Sequence, residues 1–283
     1  MTSKNTAASV RARLLQKAKM DGVEFQRLLT KFTLERLLYR LSISSEKDHF
    51  LLKGALLFDL WYDVPFRPTR DIDLLGFGLA EIPHVVAVFE ELCNFDLDDG
   101  VEFDAQSINV EEIRKEGNYA GLRITLMGLI DSAKCLTQVD IGYGDAVTPA
   151  PEIAIYPVIF EEFPAPELLV YPKYTVVAEK LEAIVTLGMI NSRMKDYFDL
   201  WIILGQGQLE TSILSNAITA TFNRRGTRIP DAMPTGLSDV FALNPQKIIQ
   251  WHAFTNRNAL NANSLIETVT SIRNQLAFLL KAE

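Results

Sequence analysis

Lys53-Gly54-Ala55-Leu56-Leu57-Phe58-Asp59-Leu60-Trp61-Tyr62, then a short proline-bearing loop, then Arg67-Pro68-Thr69-Arg70-Asp71-Ile72-Asp73-Leu74-Leu75: the fold is decided on these residues. A glycine follows an apolar start and opens a helix-like run. The segment after the loop reads as a strand, and side chains at i and i+2 of a strand point to the same face. Asp71 and Asp73 are therefore expected to project together, with Ile72 and Leu74 in the core. Two neighbouring carboxylates repel unless a positive charge sits between them. A hard divalent cation answers that need, and Mg²⁺ favours one or two carboxylates completed by substrate phosphates. Asp-X-Asp alone is common as a pair of solvated surface acids, so its surroundings matter. Gly54 has no Cβ and lets the backbone approach a phosphate. The helix after it aims free N–H groups at an anion, and Arg67 and Arg70 add positive charge.

Composition sets the outer bounds. The chain has 283 residues, enough for one large or two modest domains. No apolar run approaches the roughly 18 residues that span a bilayer, and the first residues carry no signal-peptide pattern. A cytoplasmic protein without membrane contact is expected. Cys93 and Cys135 suit reduced, packed thiols, and three histidines are too few for a His-rich zinc site. The net charge of −8 excludes a protein that coats nucleic acid along its whole surface. Its distribution is uneven: residues 1–48 hold 10 Lys/Arg and 5 Asp/Glu, residues 49–165 hold 7 and 21, and residues 166–283 hold 11 and 10. A basic arm beside an acidic middle fits metal in the middle with RNA outside, and equally fits ordinary solvated helix faces.

Helical spacing marks 8–20 and 23–42, the latter with Phe25, Leu28, Leu29, Phe32, Leu37, Leu38 and Leu41 on one face. Its polar residues Arg27, Lys31, Arg36 and Arg40 are the ones expected to meet phosphates. Strands are predicted at 71–77, 101–110, 120–130 and 134–142, and a helix at 81–92. A proline-dense passage from Pro149 to Pro172 reads as a link, and the remainder reads as helical. The expected class is α+β with a mixed sheet. Its parts are an N-terminal helical arm (1–48), a core (49–165) and a helical C-terminal domain (166–283). Within the last, Lys180 lies mid-helix, and Arg193, Lys195, Asp196 and Asp199 open the next helix. The pairs 196/199 and 195/199 each share a helical face, which by itself describes ordinary surface salt bridging.

The glycine, the spacer and the Asp-hydrophobic-Asp strand resemble the signature of DNA polymerase β-type nucleotidyltransferases. Leu52-Lys53-Gly54-Ala55 with Arg67-Pro68-Thr69-Arg70-Asp71-Ile72-Asp73-Leu74 resembles, more narrowly, the AbiEii/AbiGii family that includes the MenT toxins. Ala178-Glu179-Lys180-Leu181-Glu182-Ala183 and Arg193-Met194-Lys195-Asp196-Tyr197-Phe198-Asp199-Leu200 are similar to that family's later blocks. The resemblance implies a polymerase β-type core and a Mg²⁺-dependent (alternatively Mn²⁺-dependent) nucleotidyltransferase. Asp71 and Asp73 would hold metal. Asp140 is the candidate third acid from a neighbouring strand, and reads equally as a strand-end aspartate before Gly142-Tyr143-Gly144. Lys53, Gly54, Ala55, Arg67, Thr69, Lys180 and Lys195 would serve the nucleoside triphosphate. Asp196 or Asp199 would orient Lys180 or the substrate, with the choice open. Ala55 departs from the usual Ser, Thr or Gly and offers no hydroxyl, and the spacer of 15 residues (56–70) is long. The implied reaction moves NMP from an NTP to an RNA acceptor, a tRNA 3′ end, in a toxin restrained by a cognate antitoxin. The alternatives are transfer to a protein or small molecule, or an inactive fold used as a binding module.

Overall fold

Phe50-Leu51-Leu52-Lys53 forms a strand, not merely the approach to a helix. All four of its side chains are buried, so this apolar run carries no alternation to announce it. The computed structural model describes residues 3–62, 69–78, 80–115, 119–206 and 209–279. The chain divides into two compact units, residues 1–144 with 152–170, and residues 145–151 with 171–283.

The first unit is built on a seven-stranded mixed sheet. Its strands are β1 (Phe50–Lys53), β2 (Asp71–Gly76), β3 (Glu102–Lys115), β4 (Tyr119–Ile130), β5 (Ala133–Tyr143), β6 (Glu152–Ile155) and β7 (Glu167–Val170). They run in the order β3-β4-β5-β2-β1-β7-β6. Strand β2 lies antiparallel to β1 and parallel to β5, which makes it the centre of the sheet. Ile72 and Leu74 are buried, while Asp71 and Asp73 stand half-buried on the other face, the alternation expected of this strand. The β4–β5 hairpin turns at Asp131-Ser132, with Ile130 opposite Ala133 and Asp131 in the left-handed region at φ 53°. Strands β6 and β7 fall inside the passage expected to be a link. Its prolines end the strands and do not prevent them.

Helices α1 (Ser3–Asp21), α2 (Phe25–Ile43), α3 (Leu57–Trp61) and α4 (Ile82–Cys93) belong to the same unit. The apolar face of α2 is buried as its spacing requires, but so are Arg36 and Arg40. The expectation that these two arginines meet phosphates is therefore corrected. Arg40 donates to both carboxylate oxygens of Asp99, at 2.7 and 3.2 Å, and to the Val101 carbonyl at 2.8 Å. Arg36 donates to the Pro164 carbonyl at 2.9 Å. Buried charge is tolerated where it is paired or hydrogen-bonded, as Arg40 is by Asp99.

Among the described residues the regular structure of the second unit is helical: α5 (Lys173–Leu187), α6 (Met194–Gln206), α7 (Thr211–Arg225), α8 (Asp239–Ala242), α9 (Pro245–Arg257) and α10 (Leu265–Gln275). Its helix starts are written locally. Asn244 caps α9 by accepting from the amides of Gln246 and Lys247, and Ser264 with Glu267 forms a reciprocal capping box on α10. Among the described residues no helix is long and apolar enough to cross a membrane.

Candidate active site

Strand register assembles the first constellation. Lys53 on β1 lies opposite Asp73, Asp73 lies opposite Asp140 on β5, and Asp140 lies opposite Arg123 on β4. Residues paired in register share a face. The sheet therefore carries a row of cation, acid, acid, cation across four strands. Asp71 stands one step along the same face, beside Gln138. Lys53 is buried, an uncommon place for a lysine unless charge accompanies it.

Gly54 closes this row from one side. Its backbone sits in the left-handed region at φ +75°, and an added Cβ would fall 2.1 Å from Asp73 Oδ2. No side chain fits there, so the glycine does more than permit a turn: it sets the backbone directly against the acid. Ala55, which follows, is buried. Thr69 donates its hydroxyl to Asp71 Oδ1, engaging the first acid rather than standing open to a ligand. Arg67 lies outside the described residues.

Asp140 is engaged differently. Arg123 donates from Nε and Nη2 to its two oxygens, both at 2.8 Å, and Gln138 Nε2 adds a bond of 3.2 Å to Oδ1. This fork-to-fork geometry is a strong form of ion pair, and hydrogen bonding to Asp140 raises the Arg123 pKa above its usual value. Arg123 was not singled out in the sequence. The signal was the two-residue turn at Asp131-Ser132, whose register sets residue 123 against residue 140. Among the described residues no three His, Cys, Asp or Glu side chains form a ready metal cluster. Asp71 and Asp73 are nevertheless a fitting donor pair for a hard cation: oxygen ligands on one strand face, half-buried, beside a backbone cradle that a single Cβ would fill.

The second constellation lies wholly in the helical unit. Lys180 Nζ donates to Asp196 Oδ1 at 3.0 Å and to Asp199 Oδ2 at 2.7 Å. Arg193 Nε donates to Asp196 Oδ2 at 2.6 Å. Both acids are fully buried. Burial alone would raise the Asp196 pKa, but Lys180 and Arg193 outweigh it and hold the carboxyl below the usual range. The sequence left open which acid belongs with Lys180; both do. Lys195 is exposed, so it does not share the inward face of Asp199 as its spacing had allowed. Its outward direction gives it no part in this cluster.

A family model described as nucleotidyl transferase AbiEii toxin, type IV toxin–antitoxin system, matches residues 36–271. The chain belongs to the AbiEii family. As a member it is a nucleotidyltransferase of a toxin–antitoxin family. The match spans both constellations. Two Helicobacter pylori structures have a similar fold. One, of a protein provisionally assigned as a nucleotidyltransferase, aligns at TM-score 0.53 and 14% identity over 92% of this chain and 96% of its own. The other, JHP933, aligns at 0.52 and 13% over 91% and 93%. At that identity the likeness is one of fold. No curated protein sequence matches this AbiEii member.

Proposed function

We propose that this AbiEii member transfers a nucleoside monophosphate from an NTP to an RNA acceptor, a tRNA 3′ end, using Mg²⁺ (or Mn²⁺) held by Asp71 and Asp73. The observation that carries the proposal is the contact of Gly54 with Asp73. It puts backbone without a side chain and a carboxylate pair at one point, the combination that a triphosphate with its metal requires. A bound divalent cation would polarise the α-phosphate and offset charge on the leaving group. The acceptor hydroxyl oxygen bonds to the α-phosphorus as the bond to the bridging oxygen breaks. Pyrophosphate departs with that electron pair, and the hydroxyl proton goes to water. The chain's own part is orientation. Thr69 fixes Asp71 through its hydroxyl, Gly54 makes room for the Asp73 carboxylate by having no Cβ, and Lys53 brings positive charge to the same row. Lys180, held by Asp196 and Asp199, is assigned to the triphosphate. Asp140 joins the metal only by giving up Arg123. Family membership in a toxin–antitoxin system supports a cognate antitoxin as partner and a cytoplasmic site of action.

Labelled NTP offered together with total RNA, protein extract and small amino-alcohols tests this directly. Label is expected on RNA, dependent on divalent metal and lost in Asp71→Ala. Label on protein or small molecule would overturn the acceptor, and metal-dependent NTP use absent from the wild type would overturn the enzyme reading of this site.

A further inference from the structure

The first unit holds two large hollows of opposite charge. One, of about 690 Å³, is walled by Asp96, Asp98, Glu102 and Asp131, with no lysine or arginine among its described lining residues. The other, of about 320 Å³, is lined by Lys17, Arg27 and Lys31, with Asp21 and Asp59 the only acids among its described lining residues. This second hollow has Ala55 and Leu56, just past Gly54, in its wall, together with Thr69. Thr69 is hydrogen-bonded to Asp71, so the cavity ends one hydrogen bond from the carboxylate pair.

Its charges are not equivalent. Lys31 Nζ sits 2.9 Å from Asp59 Oδ2, which also accepts from Tyr156 Oη at 2.7 Å, so that lysine is fixed in place. Lys17 reaches Asp21 at 3.0 Å across one turn of α1, a solvated pair of small worth that a phosphate can replace. Arg27 is exposed, and among the described residues no carboxylate answers it. Leu28 and Leu34 supply apolar wall between the cations. The volume lies at the low end for small-ligand sites and matches one nucleotide. A triphosphate with its metal needs denser charge than three cations beside two acids. A base against leucines, with one or two backbone phosphates at Lys17 and Arg27, fits what is there.

We propose that this cavity receives the terminal nucleotide of a single-stranded nucleic-acid acceptor, with its phosphates on Lys17 and Arg27 and its reacting end toward Thr69. This assignment rests on the acceptor reading given above. Phosphate contacts of this kind position the strand without selecting its sequence. A protein or small-molecule acceptor lacking phosphates would not need these cations.

The test is fluorescence anisotropy of a 5′-labelled single-stranded RNA with the full chain, without NTP, across a salt series. Lys17→Glu with Arg27→Glu is expected to weaken binding about 10- to 100-fold and to reduce the salt slope by about 2, one phosphate per cation. Arg27→Glu alone, at an exposed position, is expected to give part of the loss should the double variant fold poorly. Arg27→Lys is expected to retain binding, and Glu102→Lys at the acidic hollow to leave it undiminished. In turnover, KM for the acceptor should rise with KM for NTP unchanged. Unchanged affinity and salt slope in folded Arg27→Glu would overturn the cavity assignment alone. Wild-type chain that binds no RNA, with label landing elsewhere, would overturn the acceptor reading and this assignment together.

Discussion

Two pairs of aspartates distinguish the two units. Asp71 and Asp73 sit half-buried on a strand, and Asp196 and Asp199 sit fully buried on a helix. The helical pair shares one lysine, with Arg193 completing the set, and its charge is answered within the unit. The strand pair is arranged for approach: a glycine too crowded for any side chain stands against one acid, and a hydroxyl steadies the other. The same residue type thus does opposite work. Buried and answered by cations, an aspartate holds structure; half-buried against a glycine backbone, it is suited to a ligand.

Substitution at the strand should separate activity from folding most widely. Asp73→Asn is expected to cut NMP transfer about 10³-fold, the scale on which losing a preorganised charge stabiliser is felt. Its melting temperature should move little, because the position is half-exposed. Label transfer and thermal melting of the same preparation check both. If Asp73→Asn unfolds the protein instead, the contrast between the pairs collapses.

Lys180→Met should differ in losing stability as well as transfer. It removes the cation that both buried carboxylates share, with Arg193 still on Asp196, which costs about 3–5 kcal/mol, read in urea unfolding of the full chain. A Lys180→Met protein as stable as wild type would mean that the helical cluster is no structural circuit.

A third acid sharpens the scale between these extremes. Glu35 is buried, accepts from the Ile159 amide at 2.7 Å, and has Arg36 Nη2 3.0 Å from Oε1. That ion pair lies outside hydrogen-bonding geometry, and Oε1 makes no hydrogen bond. Desolvation therefore wins over the arginine, and the carboxyl is pushed up from 4.5 to about 7. The native state holds this proton more tightly than the unfolded chain. Stability should consequently fall as pH rises from about 4.5 to about 7, by about 3 kcal/mol at most, and stay lower above that. Glu35→Gln, which keeps an acceptor for Ile159, should flatten the profile in that window. Stability that rises across the same window would reverse the assignment.

The smallest effect is expected at Arg123. Its pair with Asp140 is about one-third exposed on the arginine side, so Arg123→Gln should cost about 1 kcal/mol or less. The half-saturating Mg²⁺ concentration should be unchanged if Asp71 and Asp73 suffice for the ion. A fall in that concentration would enrol Asp140 as a third ligand.

What could be read without coordinates follows from how local each signal is. The alternation in Asp71-Ile72-Asp73-Leu74 is contained in four residues, and the strand forms with the acids on one face. The amphipathic runs of the second unit likewise became helices. Strand β1 escaped because burial on both faces erases alternation, and β6 and β7 because short strands between prolines resemble a linker. Arg36 and Arg40 misled for another reason. Their partners, Pro164 and Asp99, are 128 and 59 residues away, and helical periodicity cannot distinguish a solvated arginine from one whose acceptors arrive from afar. Lys180 with Asp196 and Asp199 was visible as a set of charges, but its inward direction depends on how α5 and α6 pack.

That remoteness has a practical outcome for anyone trimming the gene. A fragment started at Ser44 to isolate the sheet would lose the guanidinium that answers Asp99, and would bare the apolar surface now covered by Leu29, Phe32 and Leu38. Such a shortened polypeptide should precipitate on expression, so the smallest workable piece must begin upstream of the second helix.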